Sequence, residues 1–206
     1  MNVMLKIKTR IDDMESYRLL FAPLRIQMAF FVVGVALMLL TETTLRNGGL
    51  PLAVALVAGL SVGGASFIVV MLFARTQTKI GEALRKRVYL TSNALGSLSI
   101  SAILTLSVTA GVFEELLFRG VLQSWLSQSL HYSVGIGLSA IIFGLLHPGS
   151  SATFIFTSLY GLMFGVAYHL TESIVFVMVW HATYDFIALT FVVKAPRYFN
   201  VRQNEA

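Results

Sequence analysis

Six apolar stretches, separated by glycine, proline, charged or other polar residues, run along the chain. They cover roughly 24–45, 50–73, 95–126, 133–147, 152–170 and 173–193. Several are long enough to cross a bilayer as a helix of about 20 apolar residues. The pattern predicts an all-α, polytopic membrane helix bundle with about six transmembrane helices. Asn47-Gly48-Gly49 and Pro148-Gly149 mark turns. Gly59-x-x-x-Gly63 and Gly161-x-x-x-Gly165 have a spacing that lets helix backbones approach closely. The third stretch exceeds a minimal span, so a kink near Gly111, or a polar end protruding at Gln123, Ser124, Ser127 and Gln128, is expected. Residues 74–93 read as a polar segment. Before the first span, Ile7, Ile11 and Met14 recur at helical spacing, compatible with a surface helix over 3–20 or with a polar leader. The chain divides into a leader (1–23), a membrane domain (24–193, with the polar motifs in 95–193) and a basic tail (194–206).

Composition agrees with the pattern. The chain is 56% hydrophobic and 12% charged, against about 25% charged in soluble domains. All lysines and arginines except Arg46 and Arg119 fall in three clusters: the amino-terminal flank, the 74–93 segment and the tail. With six spans these share one face, which the positive-inside rule makes cytoplasmic, with both termini. The net charge of +5 therefore reports topology; no basic stripe suited to nucleic acid is present. Absence of cysteine excludes disulfides, thiolate nucleophiles and cysteine-ligated metals. The amino terminus lacks the apolar core and cleavage site of a signal peptide.

Against that background the segment Gly111-Val-Phe-Glu-Glu-Leu-Leu-Phe-Arg-Gly120 stands out. A carboxylate in hydrocarbon costs about 2.5–3.5 kcal/mol or more, and here Glu114 and Glu115 are adjacent, with Arg119 one turn later. Glu115 and Arg119, at i and i+4, form a natural pair. Glu114 points about 100° away and has no partner on its own helix. His147 lies four residues after Phe143, and His181 four before Asp185. At ~1.5 Å rise per residue, Glu114 and His147 both fall ~22 Å from the turn near 130–132, and His181 ~15 Å from the turn near 170–172. The groups can meet within the membrane. A Glu–Arg pair on a membrane helix can also be purely structural, and a buried histidine is often a core group. Convergence from three spans is what favours function.

Intramembrane hydrolysis is the natural candidate chemistry. There is no His-Glu-x-x-His helix and no Gly-x-Ser-x-Gly elbow. Gly63-Gly64-Ala65-Ser66 lacks the following glycine of rhomboid-type proteases. The only aspartates are Asp12, Asp13 and Asp185, so no intramembrane aspartyl dyad can form. One glutamate and two histidines remain.

The order Glu-Glu-x-x-x-Arg (114–119), Phe-x-x-x-His (143–147) and His-x-x-x-Asp (181–185) resembles the CPBP family, the CAAX-protease and bacteriocin-processing (Abi) intramembrane proteases. These are related to the endopeptidase that trims prenylated CAAX proteins. The resemblance implies that Glu114 is the catalytic carboxylate and that His147 helps activate the attacking water. Glu115, Arg119 and Phe143 support, and His181 with the residue at 185 stabilises the oxyanion. The prenyl-protease branch carries asparagine where this chain has Asp185; an ionised carboxylate repels an oxyanion, so orientation of His181 is the expected role of Asp185. The family is described both as glutamate-dependent, with no cofactor, and as zinc-dependent. The metal-free scheme is the first expectation; in the second, Glu114, His147 and His181 would be the ligands. The implied substrate is a membrane-associated peptide or protein: a prenylated tail, a bacteriocin leader or a carboxyl-terminal sorting tag. The implied location is a prokaryotic cytoplasmic (inner) membrane. Two other classes keep the same fold: a non-enzymatic immunity or scaffold protein, and a proton-coupled transporter. Small size, lack of inverted repeats and clustering of the polar groups argue against transport. Oligomeric state is not encoded in any of these features.

Overall fold

The computed structural model of the chain describes residues 3–147 and 149–201. Among these, every long element is helical; the one β-type contact is an isolated bridge between Asn47 and Ser173. Helix α1 spans Val3–Thr41, α2 Leu52–Ala74, α3 Lys79–Leu95 and α4 Ile100–Glu115. α4 continues without a break through a π-helical segment, Leu116–Gln123, into α5, Ser124–Ser129. α6 (Tyr132–Leu145), α7 (Ser151–Thr171) and α8 (Ile174–Lys194) follow, and a 3₁₀ turn, Pro196–Phe199, comes last.

Five helical stretches are long and apolar enough to cross a bilayer: 19–41, 52–74, 100–129, 151–171 and 174–194. Their outward residues are large and apolar: Leu39, Leu40, Leu60, Leu72, Leu159 and Leu170 are all more than half exposed. Such surface is stable in lipid and not in water. The protein is an integral membrane protein. The expected fourth span is α6, whose 14 residues reach only about 21 Å at ~1.5 Å per residue, less than the ~30 Å hydrocarbon core.

Several expectations are corrected. Pro23 does not start a helix: α1 is one helix with Pro23 inside it, so the leader and the first span are one continuous element. Residues 3–20 are helical, as part of α1; the side chains of Ile7, Ile11 and Met14, and residues 202–206 of the tail, lie outside what the structure describes. The 74–93 segment is largely a helix, α3. Its charged residues mask an apolar edge, on which Val88 is buried against Phe67, Ala74, Val192 and Phe199, with Leu84 alongside. Thr78 caps α3 by accepting from the Gly81 N–H at 3.2 Å. Arg85 donates to the carbonyl oxygens of Ala74 and Thr76 at 2.6 and 2.7 Å, satisfying groups that the end of α2 leaves unbonded.

Close backbone approaches hold the bundle around α8. A Cβ on Gly59 would stand 2.8 Å from Val179 Cβ, and one on Gly63 would stand 2.7 Å from Thr183 Cβ. On α4, a Cβ at Gly111 would stand 2.7 Å from both Ala182 N and Met178 O. Gly111 is thus a helix-contact glycine, not a kink, and it seats α4 against α8 one turn before Glu114. At the opposite end of the bundle, the Ile174 N–H donates to Arg46 O at 3.0 Å and the Arg46 N–H to the Tyr168 hydroxyl at 3.0 Å. These bonds tie the 42–51 loop to the turn before α8.

Candidate active site

Glu114 and Glu115 end the regular part of α4, and the backbone then widens into the π-helical turns of 116–123. Such turns trade regular i→i−4 bonding for wider spacing and are frequent at functional sites. Nearly the whole segment is buried, Arg119 completely so. The Ser124 hydroxyl donates to Arg119 O at 3.0 Å. The polar end does not protrude as expected: Gln123 is buried, and its Nε2 donates to Gly165 O at 2.9 Å.

Arg119 and Glu115 form the deep layer. Arg119 Nε lies 3.2 Å from Glu115 Oε2, an ion pair without full hydrogen-bond alignment, and both side chains are inaccessible to solvent. Arg119 Nη2 donates to Gly161 O at 2.9 Å. The guanidinium stands over the Phe143 ring, 4.5 Å from its centroid, and 5.4 Å from that of Phe164. A desolvated cation over aromatic faces gains about 2 kcal/mol or more. These contacts are the means by which this chain tolerates an arginine away from water.

The second oxygen of Glu115 does further work: Oε1 lies 2.8 Å from His181 Nδ1. A carboxylate only accepts, so Nδ1 carries the proton. The other ring nitrogen, Nε2, is 3.5 Å from Asp185 Oδ2. Phe164 stacks on the imidazole at 5.0 Å and 21°. His181 is therefore clamped by two acids and an aromatic face.

Glu114 faces away from this layer, 6% exposed. His147 Nε2 is 3.7 Å from Glu114 Oε2, too long for a direct hydrogen bond. His147 sits just beyond α6, in the turn after Leu146. Its Nδ1 is 2.7 Å from Phe143 O; a carbonyl only accepts, so Nδ1–H donates and Nε2 is left as the lone pair facing Glu114. The Phe143 and His147 rings are 4.6 Å apart.

All seven residues singled out by spacing, Glu114, Glu115, Arg119, Phe143, His147, His181 and Asp185, lie in this one cluster. Three partners carried no legible signal. Phe164 and the Gly161 carbonyl lie on α7, in a glycine pair that reads only as a helix contact. Tyr160, whose ring packs 4.7 Å from that of Tyr184, reads as packing. Among the described residues, no three His, Asp or Glu side chains are placed to hold a metal ion. His181 turns Nδ1 to Glu115, and its Nε2 lies 3.5 Å from Asp185 Oδ2.

A polytopic helical membrane protein with a buried Glu/His/Asp cluster drawn from α4, α6 and α8 is the class that fold and site define. Residues 96–187 match the family model described as Rce1-like, type II CAAX prenyl endopeptidase. The motif-bearing segment is thus similar to a family of CAAX-type endopeptidases. The matched segment runs from just before α4 into α8 and encloses every residue from Glu114 to Asp185, while α1–α3 lie outside it. No curated protein and no solved structure matches the chain.

Proposed function

We propose that the protein is an endopeptidase that hydrolyses a peptide bond near the carboxyl terminus of a prenylated, membrane-associated substrate, with a water activated by Glu114. The observation that carries the reading is the pairing of Glu114 with His147. Glu114 is a nearly buried carboxylate with an unbonded Oε2, facing a histidine nitrogen at 3.7 Å. A water resting on both takes its orientation from His147 Nε2 and gives its proton to Glu114 as its oxygen attacks the carbonyl carbon. Glu114 then returns the proton to the leaving amine. His181, held by Glu115 and Asp185, is the positive or hydrogen-bonding group against which the oxyanion develops. Each step uses this chain's own side chains.

The substrate class draws support from an apolar groove of about 580 Å³ between α2 and α7, lined by Val62, Val69, Phe73, Leu159 and Met163. That volume is within the ~300–1,000 Å³ of small-molecule pockets. Tyr160 and Trp180 form its inner wall. Trp180 precedes His181 in the chain, and its ring meets Phe164 at 5.0 Å, the same Phe164 that stacks on His181. An isoprenoid lying there would place its attached peptide beside the acid–histidine cluster.

The test is cleavage of a prenylated CAAX peptide by purified protein in liposomes. Glu114→Gln is expected to abolish it while the protein still inserts; full cleavage by that variant sinks the reading. Activity is expected to survive stringent chelation, and loss on chelation with rescue by zinc would overturn the metal-free scheme.

A further inference from the structure

Arg87 is a cation with an unassigned task. It is on α3, which the buried Val88 pins against α2 and α8. Two residues earlier, Arg85 is committed to the carbonyls that end α2. Arg87 reaches elsewhere: its Nη1 donates to Thr153 Oγ1 at 2.8 Å, in the first turn of α7. Thr153 supports the turn that presents His147. A Cβ on Gly149 would stand 2.7 Å from Thr153 Oγ1, so the turn rests on that side chain. The Arg87 side chain is exposed, uses one hydrogen bond, and among the described residues pairs with no carboxylate. A guanidinium carries five donors, so most of its bonding capacity is open.

The cluster next to it has the opposite character. Among the described residues, Glu114, Glu115 and Asp185 share the cluster with one arginine, Arg119, which is already committed to Glu115 and Gly161. A substrate carrying a free carboxylate is repelled by such a site unless a cation meets it on the way in. Arg87 is placed to do so, on the His147 side and outside the buried layer. Arginine suits the task because its planar fork matches a carboxylate with two parallel bonds.

We propose that Arg87 receives the carboxyl-terminal carboxylate of the substrate, so that the distance from Arg87 to Glu114 sets where the chain is cut. This rests on the endopeptidase reading above. Arg87 is a specificity residue in this scheme: it touches the end of the released fragment and takes no part in proton transfer.

The experiment compares two farnesylated peptides of one sequence, one ending in a free carboxylate and one in an amide. Wild-type protein in liposomes is expected to cleave the acid with ~10-fold higher kcat/KM, mostly through KM, the scale of one charge-assisted contact. Arg87→Gln is expected to bring the acid-to-amide ratio close to one, and Arg87→Lys to leave an intermediate ratio. Equal cleavage of acid and amide by wild type overturns the proposal and leaves the endopeptidase reading standing. So does an unchanged ratio in Arg87→Gln. Cleavage of neither peptide by wild type sinks the endopeptidase reading, and this inference with it. Should Arg87→Gln fail to fold, Arg87→Lys carries the test: an acid-to-amide ratio equal to that of wild type overturns the proposal.

Discussion

Arg119 is the residue whose replacement tests the deep layer most directly. Arg119→Met removes the charge and keeps much of the apolar stem. It deletes the 3.2 Å ion contact to Glu115 and the 2.9 Å bond to Gly161 O, and it empties the face of Phe143. Glu115, fully buried, is left with His181 as its one partner. Breaking one side of a buried pair costs ~3–5 kcal/mol, because the surviving charge is uncompensated. That is a large share of the ~5–15 kcal/mol that holds a typical domain. Glu115→Gln alone strands Arg119 instead, at a similar cost, although its amide oxygen can still accept from His181 Nδ1–H. The two together remove both charges, so Arg119→Met with Glu115→Gln is expected to be no worse than either single change. The cycle then shows a coupling of ~2–4 kcal/mol, estimated as the single-variant penalty the second change removes. The assay is denaturant unfolding of detergent-solubilised protein followed by tryptophan fluorescence; Trp180, which bonds Ser66 Oγ at 2.9 Å, lies near the cluster. Additivity of the two changes within ~0.5 kcal/mol would refute the account of this layer as a neutralised pair.

The other predictions concern the chemistry and the helix contacts. His147→Ala is expected to lower kcat by ~10²–10⁴, the range for a lost acid–base partner; single-turnover cleavage measures this, and an unchanged kcat would remove His147 from the mechanism. Asp185→Asn is expected to keep activity within ~10-fold, since an amide can hold His181 at the 3.5 Å contact with a bond of ordinary strength. Asp185→Ala is expected to fall further. Equal, complete loss in both would show that the charge itself is required. Gly111→Leu drives a side chain into Ala182 N and Met178 O. Backbone cannot yield as a side-chain tip does, so a stability loss of ~1–3 kcal/mol, with reduced cleavage, is expected on thermal unfolding. Normal stability would mean that α4 and α8 are not locked there.

The sequence by itself determined the class of protein and which residues form the candidate cluster. Hydropathy runs are set by the solvent: a segment that must satisfy its backbone internally in lipid becomes a helix, and apolar length marks it. The site residues were legible for the same reason, because an ionisable group in an apolar run is costly enough to stand out, and i,i+4 spacing pairs Glu115 with Arg119 and His181 with Asp185. Tertiary structure decided the rest. It gave Glu115 two partners, Arg119 on its own helix and His181 on α8, which no spacing along one helix can show. It brought Phe164 and the Gly161 carbonyl onto Arg119, and it set His181 between Glu115 and Asp185. It also replaced a kink at Gly111 by a close contact with α8 and placed the irregular turns at 116–123. Finally, it made a helix of the charged 79–95 segment and carried Arg87 to the turn beside His147. Most of these are contacts between residues far apart in the chain, fixed by packing between helices and not by the periodicity within any one of them.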